Sequence, residues 1–147
     1  MTAETTVSDT GELILTLPVL DHEHLITANQ RRHWSRTFRH TSYWRTWAHI
    51  AARNALNRGT WPKLSAAAIT CTITWPDRRR RDAANWHPTA KALVDGLIDA
   101  GLLPDDDNTH VTGPDMRAGT GPYAIHLAIT PQPTACLLYT SPSPRDS

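Results

Sequence analysis

Residues 66–101 constrain the fold of this chain more than any other segment. "AAAITCTITW" (66–75) alternates in the manner of a β-strand and is rich in small and β-branched residues. "PTAKALVDGLIDAG" (88–101) has apolar residues at helical spacing, a proline suited to the first turn and a glycine suited to the end. Because a strand and a helix follow each other so closely, the sequence predicts a helix packed on a β-sheet, with the charged loop between them exposed.

The rest of the chain adds further strands and a second helix. "ELILTLPVL" (12–20) and "PYAIHLAIT" (122–130) alternate like strands, and "HVTGPDMRA" (110–118) is expected to contain a short one. "SYWRTWAHIAARNALN" (42–57) has one apolar face at helical spacing, whereas residues 21–40 lack a clear period and predict a long loop. Together these patterns predict a single small α+β domain with a mixed β-sheet and two main helices.

The chain length of 147 residues suits one compact domain. We expect a flexible polar leader at residues 1–11 and the folded domain at residues 12–135. The final segment, "CLLYTSPSPRDS" (136–147), does not continue the strand pattern and resembles the translation of a sequencing adapter, so we expect it to be non-native. A genuine disordered tail is the alternative.

The charge distribution and the cysteine content bear on the partners and the cellular compartment of the protein. The formal net charge is +1, so only the distribution of charge can indicate a nucleic-acid partner. Arginines cluster at residues 78–81, and three aspartates stand together at residues 105–107. Cys71 and Cys136 do not make a disulfide framework. Because we find no signal peptide and no apolar run of membrane-spanning length, we expect a cytoplasmic protein with no membrane partner.

The carboxylates on either side of the second helix predict a candidate metal site. Hydrolysis of a phosphodiester at neutral pH calls for a divalent cation, and Mg²⁺ prefers carboxylate oxygens. Asp82 and Asp105 to Asp107 offer such oxygens, and Lys91 offers a positive charge for a phosphate. The intervening helix is about 20 Å long, so one loop must fold back along it for Asp82 and Asp106 to meet. The simpler alternatives are a solvated acidic turn and a surface pair between Lys91 and Asp95.

The order of these features resembles the RusA family of Holliday junction resolvases, which are small phage-type endonucleases. The family pattern is an arginine-rich approach, then D-x-D-N, a lysine, a "DGL…AG" helix and a pair of aspartates before a valine. The chain matches this pattern within residues 78–111, at Arg78, Arg79, Arg80, Arg81, Asp82, Asn85, Lys91, "DGLIDAG" (95–101), Asp105, Asp106 and Val111. The weaker resemblance extends over roughly residues 12–130.

The resemblance implies a RusA-like homodimer that binds four-way DNA junctions and cuts them symmetrically with Mg²⁺, for which Mn²⁺ could substitute. Asp82, Asp105 and Asp106 would be the metal ligands, and Asp82, Lys91 and Asp106 the catalytic residues. Lys91 would lie near the scissile phosphate, and Asn85 would orient the loop or a water molecule. The arginines Arg78 to Arg81, with Asn85 and Lys91, would contact DNA.

The chain departs from the family pattern at two places. Asn85 and Lys91 stand six residues apart, whereas the matching residues of compact members stand about three apart. Ala84 occupies the position of the second aspartate in D-x-D-N, so the site lacks one expected carboxylate. Either Asp105 or Asp107 compensates, or His87 supplies a nitrogen, or the protein binds junctions and cuts them poorly.

The tryptophans have a structural and a functional interpretation. Trp44 and Trp47 are expected in the core or at a dimer interface. Trp34 and Trp86 stand beside basic residues, where packing is the simpler role and base stacking at a junction the alternative.

Three hypotheses therefore remain at this point. The first is a Mg²⁺-dependent junction endonuclease acting in recombination and repair. The second is a catalytically impaired junction- or DNA-binding protein of the same family, and the third is a small phage accessory protein whose aspartates are solvated surface.

Overall fold

The computed structural model describes residues 3–20, 25, 34–105, 107 and 109–132, with the side chains of 34–37 excepted. Five strands, two α-helices and one short 3-10 helix form the fold. Their bounds are β1 Glu4–Val7, β2 Leu13–Pro18, α1 Trp34–Asn57, β3 Ala66–Trp75, the 3-10 helix Ala83–Trp86, α2 His87–Asp99, β4 Val111–Thr120 and β5 Ala124–Gln132.

The strands form one five-stranded sheet in the order β1-β2-β5-β3-β4. β3 and β4 pair in parallel, whereas the other neighbouring pairs are antiparallel. Parallel neighbours need a crossover connection, and α2 provides it by leading from the carboxyl end of β3 to the amino end of β4. The expected α+β domain with a mixed sheet and two helices is confirmed.

One face of the sheet is buried under the two helices. Alternate residues of β2, β3 and β5 point into this core, among them Leu13, Leu15, Leu17, Ile69, Cys71, Ile73, Ile125, Leu127 and Ile129. Trp44 of α1 and Leu93 and Leu97 of α2 are fully buried against them, and Trp47 is partly buried beside them. Cys71 is a free thiol in this core, and burial raises its pKa to about 12.

The two helices meet at Gly96 of α2. A Cβ atom at this position would collide with the backbone carbonyl oxygen of Arg45 and would lie 2.8 Å from the Cβ of Ala48. Only glycine therefore allows α1 and α2 to approach so closely. At the end of α2, Arg45 also donates from Nε to Asp99 at 2.6 Å, which ties the same two helices together.

Most of the expected elements are found where the sequence patterns placed them. β3 matches residues 66–75, and α2 lies within two residues of the expected helix. β2 lies within the strand expected at 12–20, and β5 is shifted by two residues from the strand expected at 122–130. β4 is longer than expected, since it spans ten residues, eight of which pair in parallel with β3 at the sheet edge.

The structure corrects two expectations near the N-terminus. Residues 1–11 were expected to be a loose leader, but Glu4–Val7 form β1 and pair with β2. This strand is polar and mostly exposed because it lies at the edge of the sheet, so it lacks the alternation of a half-buried strand. The loop expected at 21–40 is wrong for its last residues, because α1 begins at Trp34. Phe38 and Arg39 are exposed there, so neither residue contributes to the apolar face of α1.

Residues 21–24 and 26–33 of that loop, and the suspected adapter-derived segment 136–147, lie outside the described residues. Within the described part of the chain, neither helix combines the length and the apolar character that crossing a membrane requires.

Candidate functional site

The candidate site begins where β3 ends. Trp75 is the last residue of β3, and the loop that follows leads to Asp82, the N-cap of the 3-10 helix. The Asp82 Oδ1 atom accepts a hydrogen bond from the Ala84 backbone N–H at 3.2 Å, and the Asp82 backbone carbonyl accepts from the Asn85 N–H at 3.1 Å. Aspartate is favoured at such a cap because its short carboxylate satisfies a free backbone donor. Asp82 is exposed, so its carboxylate remains open to solvent.

Aromatic packing fixes this loop to the sheet. The ring of Trp86, at the end of the 3-10 helix, lies 5.0 Å from the ring of Trp75. Tyr123, just before β5, lies on the same tryptophan with ring centroids 6.3 Å apart. These contacts show that Trp86 packs against the protein, as the simpler interpretation of this residue expected. The side chain of Trp34 lies outside the described residues.

The four arginines of the loop do not share one environment. Arg81 is held in place: its guanidinium lies 4.3 Å from the ring centroid of Trp75, and its Nη1 donates to Asp77 Oδ1 at 2.8 Å and to the Arg79 carbonyl at 3.2 Å. The side chains of Arg78, Arg79 and Arg80 are exposed. The loop therefore contains one structural arginine and three that face solvent.

Asp77 organises this arrangement. It accepts the Arg81 guanidinium and also the Arg79 backbone N–H, the latter at 2.9 Å. The hydrogen bond from the Arg81 side chain, followed by that from the Arg79 backbone, lowers the pKa of Asp77 to about 2. The carboxylate is therefore ionised at every pH at which the protein would work. Neither Asp77 nor Trp75 was singled out from the sequence, although the i,i+4 spacing of Asp77 and Arg81 is a signal that could have found the pair.

A groove of about 210 Å³ opens beside the arginine loop. Its walls are Trp75 and the loop on one side and the end of the edge strand β4 on the other. Its lining consists of Trp75, Arg79, Arg80, Arg81, Ala118, Gly119 and Thr120. Positive side chains thus face a strand end that carries only small residues.

Lys91 and Asn85 lie at the same end of the fold as Asp82. Lys91 stands in the second turn of α2 and donates from Nζ to Asp95 Oδ1 at 2.9 Å. The surface pair considered as the simpler role of Lys91 is therefore present, with both side chains partly exposed. Asn85 belongs to the 3-10 helix and is half-buried. His87 is exposed at the start of α2.

The acidic turn lies at the other end of the fold. Asp105 and Asp107 are exposed, and Asp106 lies outside the described residues. The Asp107 Oδ1 atom accepts from the Thr109 backbone at 3.0 Å and from the His110 ring Nδ1 at 2.8 Å. The His110 side chain is the main cause of the lowered pKa of Asp107. Asp107 is thus engaged in its own turn through Oδ1.

The topology separates the two groups of aspartates. Asp82 follows the carboxyl end of β3, whereas the His110 carbonyl accepts a backbone hydrogen bond from Ala67, near the amino end of the same strand. A strand of ten residues spans about 30 Å. Within one chain, the structure brings together Arg78 to Arg81, Asp82, Asn85 and Lys91, and it places Asp105 at the far end. Among the described residues, no cluster of three metal-ligating side chains is found.

Neither the search against protein-family models nor the search of curated proteins finds a match to this chain.

Proposed function

We propose that the protein is a Mg²⁺-dependent, structure-selective DNA endonuclease that resolves four-way junctions in recombination and repair. The observation that supports this function best is the loop between β3 and α2. Residues 78–82 of this loop contain three exposed arginines and the exposed carboxylate of Asp82. The packing of Trp86 on Trp75 attaches the loop to the sheet. Arginine side chains form paired hydrogen bonds with the phosphates of a DNA backbone, and a carboxylate beside them can bind a hard cation such as Mg²⁺.

The proposed enzyme is a homodimer, and the separation of the aspartates gives this proposal a physical reason. Because Asp82 and Asp105 lie at opposite ends of β3 in one chain, a shared ion requires a second copy. We place Asp82 of one copy beside Asp105 and Asp106 of the other. A twofold arrangement of this kind creates two equivalent sites, which is what symmetrical cutting of a junction requires.

The donor set fits Mg²⁺. Asp82 uses its Oδ1 atom to cap the 3-10 helix, and its exposed carboxylate remains available for a ligand. Mg²⁺ usually takes one or two carboxylates and keeps several waters, so few protein ligands are enough. When bound, the ion supplies an activated water and stabilises charge on the phosphate. Lys91, in the second turn of α2 at the same end of the fold, neutralises developing charge on the phosphodiester.

The second candidate function is junction binding with impaired cutting. Ala84 replaces an expected carboxylate, and the described residues contain no complete group of three ligands. The arginine loop does not depend on a metal, so binding would survive even where cutting is slow. Recognition in both cases would depend on backbone contacts and DNA shape.

One assay separates the two functions. The purified protein is incubated with an end-labelled four-way junction, in Mg²⁺ and in EDTA. Paired nicks that appear only with Mg²⁺ support the endonuclease. Salt-sensitive binding without nicks, at any level of Mg²⁺ or Mn²⁺, contradicts it and supports the binding protein.

The shared site has its own test. Asp82→Asn and Asp106→Asn copies are each inactive in this proposal, but a mixed dimer contains one intact site. Mixing the two variants therefore restores cutting if the ligands come from different copies. Failure to restore cutting, with mixed dimers demonstrated by subunit exchange, contradicts the shared site and leaves the assay above to decide the function.

A further inference from the structure

The groove between the arginine loop and β4 has features that the proposed function does not use. Arg79, Arg80 and Arg81 all line the groove, but only Arg81 is engaged there by Asp77 and by the ring of Trp75. The opposite wall is the end of β4, which is the edge strand of the sheet that the described residues form.

We propose that this groove is the binding site for the phosphodiester backbone of a DNA strand, that Arg79 and Arg80 hold its phosphates, and that Arg81 and Asp77 are positioning residues that shape the loop. This inference rests on the proposed function and names the subsite at which the DNA enters.

The division of roles follows from hydrogen-bonding capacity. The Arg81 guanidinium already bonds to both oxygens of Asp77, at 2.8 and 3.3 Å, and to the Arg79 carbonyl. These bonds use three of its five N–H donors, and the ionised Asp77 carboxylate offsets the charge that Arg81 could offer to a phosphate. Arg79 and Arg80 have exposed guanidiniums, so their donors are free to form paired hydrogen bonds with phosphate oxygens.

The shape of the loop depends on the same contacts. Because Arg81 donates to the Arg79 carbonyl and Asp77 accepts the Arg79 N–H, the backbone around Arg79 is held on both sides. The flat guanidinium of Arg81 also covers Trp75, which is part of the sheet. The loop is therefore preorganised, and binding does not have to order four long side chains at once.

The wall formed by β4 suits a backbone that approaches closely. Ala118 and Thr120 are exposed, and Gly119 has no side chain. The described residues that line the groove include no carboxylate that would repel a phosphate. Asp115, further back along β4, is paired with Arg117 by a contact of 2.7 Å.

The first test measures affinity for a fluorescein-labelled four-way junction at several salt concentrations. Arg79→Ala and Arg80→Ala are each expected to weaken binding about tenfold and to lower the salt slope by about 1. Arg58→Ala is the matched control, since it removes the same charge from an exposed residue near β1, at the opposite edge of the sheet. Equal effects of all three variants would overturn the subsite, because they would show dependence on net charge alone.

The second test asks whether the loss of the Asp77 charge strengthens or weakens DNA binding. Asp77→Asn removes a negative charge, which should strengthen DNA binding if only charge matters. The proposal expects weaker binding, because the clamp on Arg81 is lost. Asp115→Asn is the control, because it removes a paired, exposed carboxylate from β4 and is expected to bind as tightly as the wild type or more tightly. Tighter binding by Asp77→Asn would overturn the positioning role.

The third test introduces charge into the groove. Ala118→Glu is expected to reduce affinity strongly, whereas Ala118→Gln, of nearly the same size, is expected to retain most of it. Wild-type affinity of Ala118→Glu would overturn the groove as the DNA path.

The three tests separate the subsite from the proposed function. If the wild type cuts junctions and the variants of Arg79, Arg80, Asp77 and Ala118 all bind DNA as the wild type does, the subsite alone fails. If the wild type neither binds nor cuts junctions, the proposed function fails.

Discussion

The indole rings of Trp75 and Trp86 lie 5.0 Å apart and inclined by 59°, so the last residue of β3 packs directly on the last residue of the 3-10 helix. This contact closes the loop that carries the arginines and Asp82. It attaches to the sheet a segment with four consecutive arginines, which repel one another. The candidate site is therefore attached to the end of β3.

Removing this contact should loosen the loop. Trp86→Ala is expected to lower the free energy of unfolding by about 2 kcal/mol, since the ring is half-buried and the cost of deleting a fully buried aromatic ring is larger. Urea unfolding followed by circular dichroism measures this change. Trp86→Phe should retain most of the stability. Equal stability of the wild type and the alanine variant would show that the loop does not depend on this packing.

Gly96→Ala is expected to destabilise the protein, although a glycine-to-alanine change inside a helix usually stabilises it. Replacing glycine by alanine inside a helix ordinarily stabilises it by up to about 1 kcal/mol. Here the new methyl group would collide with the Arg45 carbonyl oxygen, so Gly96→Ala is expected to destabilise the protein by about 1–3 kcal/mol. The control is Gly121→Ala, where the nearest atom would be 3.7 Å from the new Cβ. A Gly96→Ala variant more stable than the wild type would contradict the close approach of α1 and α2.

Ala84→Asp tests the missing carboxylate. Ala84 is exposed and its backbone N–H bonds to Asp82, so the fold has room for an aspartate side chain there. In the proposed enzyme the added carboxylate should lower the Mg²⁺ concentration needed for half-maximal cutting. Ala84→Asn serves as the control without charge. An unchanged Mg²⁺ requirement would mean that position 84 does not lie at the ion.

His126 predicts a dependence of stability on pH. Its ring nitrogens contact the hydroxyls of Thr74, at 3.1 Å, and Thr16, at 3.4 Å, and burial lowers its pKa below the ordinary 6.5. The unfolded chain therefore binds a proton at a higher pH than the folded protein does. The stabilisation that this residue contributes is present above pH about 6.5 and is lost as the pH falls below that value.

Thermal melts between about pH 7.5 and 5 measure this effect. His126→Gln should flatten the decline, whereas His87→Gln, at an exposed position, should leave it in place. A decline of equal size in the His126 variant would assign the pH dependence to other groups.

The sequence predicted correctly those elements whose buried residues recur at the spacing of a strand or a helix. β3 and α2 were correctly placed because one alternates and the other has an apolar stripe, and both bury those residues in the same core. β1 was missed because an edge strand with one partner needs no apolar face. The start of α1 was missed because Phe38 and Arg39 are exposed, so the helix there leaves no period in the sequence.

The candidate site was predictable in its residue types and only partly in its geometry. The exposed arginines and Asp82 follow from composition at the end of a strand. The clamp between Asp77 and Arg81 depends on how the loop folds over Trp75, so it involves an aromatic ring on the preceding strand. The distance between Asp82 and the acidic turn depends on the parallel pairing of β3 and β4, which no local pattern specifies.

The most direct test of the account compares the wild type with Asp82→Asn on one end-labelled four-way junction in Mg²⁺. Both proteins are first shown to bind the junction with similar affinity, since the amide that replaces the carboxylate still offers an oxygen to cap the 3-10 helix. The account predicts paired, symmetrical nicks from the wild type and none from the variant. Equal cutting by both proteins, or no cutting by the wild type at any Mg²⁺ concentration, would contradict the claim that this chain is a junction endonuclease.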